Sequence, residues 1–302
     1  MLAMTDEYSH VHKDSHPHFN LATIDRVVAC SNDFWLKHPE GEKLIGRLNL
    51  MVKMKNKTVA PSVLITAPGG AGKSSTVNEM KIRNATAENK MIFVTMHQSP
   101  NGYSLKDLIL TAMGLDIAKR TRQTTNITPE MKYLIKSQNI CAIVIDEVHD
   151  ALTLPPVQQA INLSLLKNLS GSDYGLSVIA FGVPTAARVL RKDPQLARRF
   201  GVQTLKRWDT SNETRSFIAS YINRLPLKLP TDLKDDSLHI KIIEKGQGLT
   251  DSIVKILQCA AMAAILDKSE CITHFHLDNI HSIMEEFCIG FRDVTESDEE
   301  DN

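Results

Sequence analysis

Several signals that mark particular classes of protein are missing from this sequence. Its five cysteines are scattered, with no CxxC pair, which indicates reduced thiols rather than a disulfide framework. No apolar stretch approaches the ~18 residues that a membrane-spanning helix needs. The N-terminus is polar and rich in histidine, unlike a signal peptide. We therefore expect a cytoplasmic protein that has no membrane partner.

An excess of charge is missing too. The 302 residues include 35 Lys and Arg, which balance 35 Asp and Glu. A surface that binds nucleic acid must therefore be a local patch rather than a property of the whole chain. The best candidate for contacts with the phosphate backbone of DNA is a basic set made of Lys106, Lys119, Arg120 and Arg122. An ordinary solvated face explains the same charges equally well.

What the sequence does contain is organised around one stretch near residue 70. A short apolar run at 63–66 leads into a Gly-rich turn and then a predicted helix, which is the pattern of a strand, a phosphate loop and a helix. Such glycines let backbone N–H groups point at phosphate oxygens. The predicted nucleotide-binding residues are Pro68, Gly69, Gly70, Ala71, Gly72, Lys73, Ser74 and Ser75.

The residue types in this turn suit ATP and Mg²⁺. Lys73 can reach the β- and γ-phosphates, and the Ser74 hydroxyl can ligate Mg²⁺. The following helix adds its positive N-terminal end. One position departs from the usual pattern, because Ala67 stands where a first glycine is expected. The alternative is a chance Gly-rich turn before a helix.

A second stretch supplies the carboxylates that such a site needs. The apolar run 141–145 is typical of a strand buried on both faces of a parallel sheet. It ends in Asp146, which is placed to hold the Mg²⁺ shell, and Glu147, the candidate base that polarises the attacking water. The alternative is a strand capped by two solvated acids.

The alternation of apolar runs with amphipathic stretches predicts an α/β fold, a P-loop core with a parallel sheet flanked by helices. An edge strand is expected at 204–208, and one last helix over 274–288. Helical periodicity alone continues from about Ser211, which predicts a C-terminal helical lid. The expected divisions are a disordered His-rich arm (1–23), an N-terminal extension with the ATPase core (24–209), the lid (210–290) and a disordered acidic tail (291–302).

The whole pattern resembles the TniB family and, more broadly, the TnsC-type AAA+ regulators of transposition. The P-loop and the Asp-Glu pair are shared by many ATPases. Three stretches narrow the resemblance: Asn-Asp-Phe-Trp-Leu-Lys-His-Pro at 32–39, Gln-Leu-Ala-Arg-Arg-Phe at 195–200 and Leu-Pro-Leu at 225–227. The similarity covers roughly residues 24–285.

The resemblance implies an ATPase that assembles on double-stranded DNA as a homo-oligomeric ring or filament. It also implies recruitment of a DDE-type transposase and a targeting partner of the TniQ type. Arg198 and Arg199 occupy the usual position of an arginine finger, which reaches the nucleotide of a neighbouring subunit. The alternative is that they are plain surface arginines.

Two positions depart from the pattern of related proteins. In related proteins one strand usually ends in a polar residue, the first sensor, which orients the attacking water, but here Val183 follows that strand. Ser252 stands where many relatives carry the second sensor, a positively charged residue of the lid, although Lys255 lies close by on the same helix. Both departures predict slow turnover without loss of ATP binding. Two other functions therefore stay open: a nucleotide-gated scaffold with negligible hydrolysis, and another AAA+ machine such as a replication initiator or helicase loader.

Overall fold

The computed structural model describes residues 8–54, 57–96, 104–115, 129–234 and 236–290. The chain forms two compact units. The first, called here the sheet unit, comprises residues 39–206. The second, called here the helical unit, combines the chain up to residue 38 with the chain from residue 207 onward.

The sheet unit is built on five parallel strands in the order β2-β3-β4-β1-β5. This arrangement confirms the predicted α/β fold with a parallel sheet. The interior strand β3 is almost wholly apolar and buried, as expected for a strand that has helices on both faces. The strands are β1 (Ser62–Thr66), β2 (Lys90–Thr95), β3 (Ile140–Asp146), β4 (Ser177–Gly182) and β5 (Phe200–Thr204).

Helices flank the sheet and make up the helical unit. Several begin at residues that suit a helix start: Ser104 forms a capping box with Asp107 at α4, and Pro184 lies in the first turn of α8. In chain order the helices are α1 (Thr23–Cys30), α2 (Pro39–Lys53), α3 (Lys73–Asn84), α4 (Leu105–Ala112), α5 (Pro129–Ser137), α6 (Val148–Leu152), α7 (Pro156–Ser170), α8 (Pro184–Lys192), α9 (Pro194–Arg199), α10 (Asn212–Ile222), α11 (Asp236–Lys245), α12 (Thr250–Leu266), α13 (His274–Asp278) and α14 (Ile280–Glu286).

The edge strand lies earlier in the chain than predicted. β5 pairs with β1 from Ser62 opposite Phe200 to Thr66 opposite Thr204. The side chain of Phe200 is buried and packs into the core of the sheet unit, which anchors the strand at that residue. The prediction of a strand at 204–208 therefore overlaps β5 at Thr204 alone.

The helical unit has its own core, centred on α12. This helix is apolar on nearly all sides, and α1, α10, α11 and α14 pack around it. Gly248 precedes α12 with a positive φ of 65°, and its carbonyl accepts a hydrogen bond from the backbone N–H of Trp208 at 2.8 Å. A Cβ at Gly248 would lie 2.3 Å from the Trp208 carbonyl oxygen. This close approach requires glycine.

The N-terminal segment is more ordered than the sequence indicated. A 3₁₀ helix spans Lys13–Asn20, and the backbone N–H of His12 donates to the carbonyl of Asn223 at 2.7 Å. The Ser15 hydroxyl donates to the carbonyl of Arg224, also at 2.7 Å. The prediction of a disordered arm over 1–23 is therefore wrong for the described residues from 8 onward.

Two further expectations about the chain's organisation differ from the structure. The segment up to His38 belongs with the C-terminal helices and not with the sheet unit, because Phe34 stacks on Tyr221 with ring centroids 4.6 Å apart. The single helix expected over 274–288 is instead two short helices, α13 and α14, that meet at Asn279. The predicted acidic tail, 291–302, lies outside the described residues.

Candidate nucleotide-binding site

The candidate site lies at the edge of the sheet where the parallel strands end. β1 ends at Thr66 and runs into the Gly-rich loop, and β3 ends at Asp146 two strands away in the sheet. Because the strands are parallel, both carboxyl ends meet at the same edge, where ligands bind in open α/β sheets. The fold therefore brings the predicted phosphate loop and the predicted acidic pair to one place.

The loop between β1 and α3 has the backbone conformation that the sequence predicted. Gly70 and Gly72 adopt positive φ angles of 75° and 86°, which non-glycine residues rarely adopt. The Thr76 hydroxyl donates to the carbonyl of Gly72 at 2.9 Å and ties the end of the loop to the first turn of α3. The loop therefore leads directly into a helix N-terminus, which favours anions.

Lys73 is the main cation of this loop. Its side chain is buried, and Nζ donates to the carbonyls of Ala67 at 3.0 Å and Pro68 at 2.9 Å. Burial lowers the pKa of Lys73, and the negative charges of Glu147 and Asp146 act in the opposite direction. The lysine thus lies within the electrostatic reach of both acids and at the base of the loop.

The oxygen atoms around Lys73 fit a magnesium ion that is partly held by nucleotide. Asp146 is buried, and its Oδ1 accepts from the backbone N–H of Glu147 at 3.0 Å, which leaves acceptor capacity on the carboxylate. Ser74 is exposed on the first turn of α3. A hydroxyl and a carboxylate are hard oxygen donors, and Mg²⁺ commonly uses one or two of them with phosphates. Within the described ranges no group of three or more His, Cys, Asp or Glu could hold a metal alone.

Glu147 stands at a strained corner of the backbone. Its φ of 52° and ψ of 40° lie in the left-handed region, where it precedes α6, and such strain in a non-glycine residue is often found at functional sites. Its Oε2 lies 3.1 Å from Nδ1 of His149, and Nε2 of His149 lies 3.7 Å from Oδ1 of Asp150. His149 is a further candidate for the site that the sequence motifs alone do not single out, and its place two residues after Glu147 is the signal that points to it.

Arg198 and Arg199 lie at the opposite edge of the sheet from the phosphate loop of their own chain. They end α9, directly before β5, and β5 and β1 begin side by side. The guanidinium of Arg199 donates through Nη1 to the carbonyl of Lys167 at 2.7 Å. Arg198 is exposed. A cavity of about 410 Å³ is lined by both arginines with Lys57, Val59, Ala60, Pro61 and Gln195.

The two departures from the sensor pattern lie in different units. Val183 is half-buried and follows Gly182 at the end of β4. A Cβ at Gly182 would lie 3.0 Å from the side chain of Val148 in α6. In the helical unit, Nζ of Lys255 lies 2.8 Å from the Asp251 carboxylate, one turn away on α12. Lys255, the substitute cation suggested by the sequence, is therefore engaged with Asp251.

The predicted DNA contacts are only partly covered by the structure. Lys106 lies in the first turn of α4 and is half-buried. Lys119, Arg120 and Arg122 lie outside the described residues. The part of the chain that the structure describes contains no helix long and apolar enough to cross a membrane.

A match to a protein family covers the whole sheet unit. Residues 26–210, more than half of the chain, match the family described as "TniB: Bacterial TniB protein". A comparison with curated proteins gives no match.

Solved structures with a similar fold are nucleotide-binding AAA+ proteins. The ORC2 protein of Aeropyrum pernix, described in ADPNP–ADP complexes, has a TM-score of 0.61 and 15% identity, and the match covers 87% of this chain and 72% of that one. Cdc6p of Pyrobaculum aerophilum has a TM-score of 0.57 and 13% identity, and the match covers 88% of this chain and 72% of that one. The Aeropyrum pernix ORC1 protein in complex with DNA has a TM-score of 0.50 and 12% identity, and the match covers 86% of this chain and 69% of that one. At these identities the likeness shows the AAA+ fold alone.

Proposed function

Because this chain belongs to the bacterial TniB family of AAA+ ATPases, we propose that it is an ATP-dependent, DNA-binding regulator of DNA transposition. The observation that carries the proposal is the meeting of the phosphate loop with the Asp-Glu strand end at one edge of the sheet. Lys73, Asp146 and Glu147 are close enough for the two acids to influence the pKa of the lysine. That combination suits the binding and hydrolysis of a nucleoside triphosphate.

Each residue of the site has a role in this proposal. The amides of residues 68–75 and the Lys73 ammonium bind the phosphates, with Lys73 turning from the carbonyls of Ala67 and Pro68 toward the nucleotide. Ser74 and Asp146 hold Mg²⁺, which when bound neutralises charge on the phosphates. Glu147 accepts the proton of the attacking water.

The site in one chain is completed by a second chain. Arg198 and Arg199 lie at the opposite sheet edge, so within one sheet unit they are remote from the phosphate loop. We assign the arginine finger to Arg198, because Arg199 is engaged with the carbonyl of Lys167. A neighbouring subunit in a homo-oligomeric ring or filament would receive Arg198 at its γ-phosphate.

The resemblance to the family supports a proposal for the DNA-bound assembly and its partners. We propose that ATP-bound subunits assemble on double-stranded DNA in the bacterial cytoplasm and recruit a DDE-type transposase and a TniQ-type targeting protein. Lys106, Lys119, Arg120 and Arg122 are the proposed phosphate contacts. Such contacts make affinity indifferent to sequence and steeply dependent on salt. Replacing Lys119 and Arg120 with Glu should weaken DNA binding and make its affinity less dependent on salt concentration. Unchanged affinity in a filter-binding assay would show that these two residues do not contact DNA.

The test separates binding from turnover. Nucleotide affinity and phosphate release are measured with and without duplex DNA for the wild type, Lys73→Ala and Glu147→Gln. Lys73→Ala should lose ATP binding, because the phosphates lose their main cation. Glu147→Gln should bind ATP, lose hydrolysis and accumulate the DNA-bound assembly. Glu88→Gln is the matched control, since Glu88 is exposed and precedes β2 at the other edge of the sheet. Undiminished hydrolysis by Glu147→Gln would refute the choice of base.

A second candidate function is a nucleotide-gated scaffold with negligible hydrolysis. It is favoured by the apolar Val183 after β4 and by the pairing of Lys255 with Asp251, which leave two sensor roles without an evident side chain. In that case Glu147→Gln would assemble on DNA no more strongly than the wild type. A replication initiator or helicase loader is the third candidate, and a transposase gene beside this one would argue against it.

A further inference from the structure

Three titratable side chains form a row that begins at the proposed base. Oε2 of Glu147 lies 3.1 Å from Nδ1 of His149, and Nε2 of His149 lies 3.7 Å from Oδ1 of Asp150. All three side chains are partly shielded from solvent, with exposed fractions of 32%, 24% and 20% in that order. His149 therefore stands between two carboxylates and presents one ring nitrogen to each.

The contact between His149 and Glu147 is close but incomplete. The Nδ1 atom is buried, and its alignment with Glu147 is not that of a hydrogen bond, so it has no hydrogen-bond partner in the described part of the chain. Buried polar atoms without a partner are uncommon in folded proteins. A small rotation of either side chain would complete a hydrogen bond. The imidazole therefore lies beside the proposed base without making a hydrogen bond through Nδ1.

The backbone fixes where the imidazole can go. The carbonyl of His149 accepts from both the backbone N–H and the hydroxyl of Thr153, each at 2.9 Å. On the other side, a Cβ at Gly182 would lie 3.5 Å from the backbone nitrogen of His149 and 3.0 Å from the side chain of Val148. α6 is therefore held tightly against the end of β4, and the His149 ring has a defined position relative to Glu147.

We infer that His149 is a positioning residue for Glu147. Once a small rotation completes the hydrogen bond from Nδ1, the imidazole holds the carboxylate at the end of β3, where the carboxylate can receive the proton of a water beside the γ-phosphate. The inference rests on the proposed role of Glu147 as base. A carboxylate that loses this hold samples orientations away from the water, and misplacement of a catalytic group by about 1 Å can reduce the rate on the order of 10²-fold.

Two substitutions at His149 separate positioning from packing. His149→Leu keeps an apolar side chain of similar bulk and removes the ring nitrogens. His149→Asn retains an N–H donor near the position of Nδ1. We expect kcat for ATP hydrolysis to fall on the order of 10²-fold in His149→Leu, with unchanged KM and unchanged affinity for ATP. His149→Asn should recover most of that loss. The control Ser31→Ala removes a comparable bond from a hydroxyl to a backbone carbonyl, that of Val28 in the helical unit, and should leave kcat near the wild-type value.

The outcomes decide the inference one way or the other. A wild-type kcat in His149→Leu would overturn it, and so would a faster rate, which would make His149 a restraint on the base. Equal losses in His149→Leu and His149→Asn, together with lower melting temperatures, would assign His149 a structural role only. Glu147→Gln, assayed in parallel, tests the premise: normal hydrolysis there removes the proposed base itself. If Glu147→Gln loses ATP hydrolysis while His149→Leu keeps the wild-type rate, Glu147 remains the proposed base and only the positioning role of His149 is refuted.

Discussion

Replacing Arg198 and Arg199 one at a time should separate a catalytic arginine from a structural one. Arg199 donates to the carbonyl of Lys167 in the last turn of α7, where backbone N–H partners are missing. The Ser170 hydroxyl also donates to this carbonyl, at the longer distance of 3.3 Å. A hydrogen bond from a charged donor contributes about 1.5–3 kcal/mol. Partial exposure of Arg199 favours the lower end, so we expect a loss of about 1.5 kcal/mol. In a unit of this size that corresponds to a melting temperature lower by about 3–6 °C.

Arg198 should behave in the opposite way. It is exposed, and surface substitutions of this kind change stability by no more than about 0.5 kcal/mol. Hydrolysis should suffer instead, because a finger supplied by a neighbouring subunit is worth about 10³–10⁵ in rate in other P-loop enzymes. The departures at Val183 and Ser252 place the expected loss at or below the low end of that range.

Thermal unfolding by circular dichroism and steady-state hydrolysis across a range of protein concentrations test both substitutions. Wild-type specific activity should rise with concentration, and Arg198→Ala should abolish that rise while ATP affinity stays unchanged. Mixing Arg198→Ala with Glu147→Gln should restore some activity, because one subunit supplies the active site and the other supplies the finger. The reasoning fails if Arg199→Ala melts normally and loses hydrolysis while Arg198→Ala keeps it, or if specific activity is flat with concentration.

The remaining predictions concern the helical unit. Gly248→Ala should lower the free energy of unfolding in urea by about 2–5 kcal/mol. The left-handed conformation accounts for about 1–2 kcal/mol of this loss, and a Cβ at 2.3 Å from the Trp208 carbonyl oxygen forces a shift that costs about 1–3 kcal/mol. Gly46→Ala, where the space is open, is the control, and equal losses in the two variants would contradict the clash. Burial, with a smaller effect of Arg215, lowers the pKa of His239 below the usual 6.5, so the unfolded chain takes up this proton first. Stability should therefore fall as the pH drops from about 6.5 toward the folded pKa, and His239→Leu should lose that dependence in pH-resolved unfolding curves.

The sheet and the phosphate loop could be predicted because their signals are local. The run 141–145 is apolar at every position, and a strand buried on both faces needs only that. The turn before Lys73 is rich in glycine for a reason that lies in its own backbone angles. Motifs of this kind predict the same local structure wherever they occur in a chain.

Other features depended on contacts between distant parts of the chain. The position of β5 is set by pairing with β1 and by the burial of Phe200, whereas the sequence at 204–208 looks equally suited to a strand. The composition of the His-rich segment predicts disorder, but Nε2 of His10 lies within hydrogen-bond distance of the Leu227 carbonyl, 3.0 Å away. The division of the chain also escaped prediction, because no local signal shows that Phe34 packs on Tyr221.

The discontinuous helical unit has a consequence for the order in which the protein is made. Residues 39–206 leave the ribosome as one uninterrupted stretch and contain every strand of the described sheet, so this unit can begin folding during translation. α1 emerges earlier, yet α12, the helix against which Val27 and Cys30 pack, is synthesised only after the whole sheet unit. The face of α1 that packs on α12 must therefore stay uncovered until Thr250–Leu266 have been synthesised. A deletion that removes α1 would consequently uncover part of α12, more than half of the chain away in sequence.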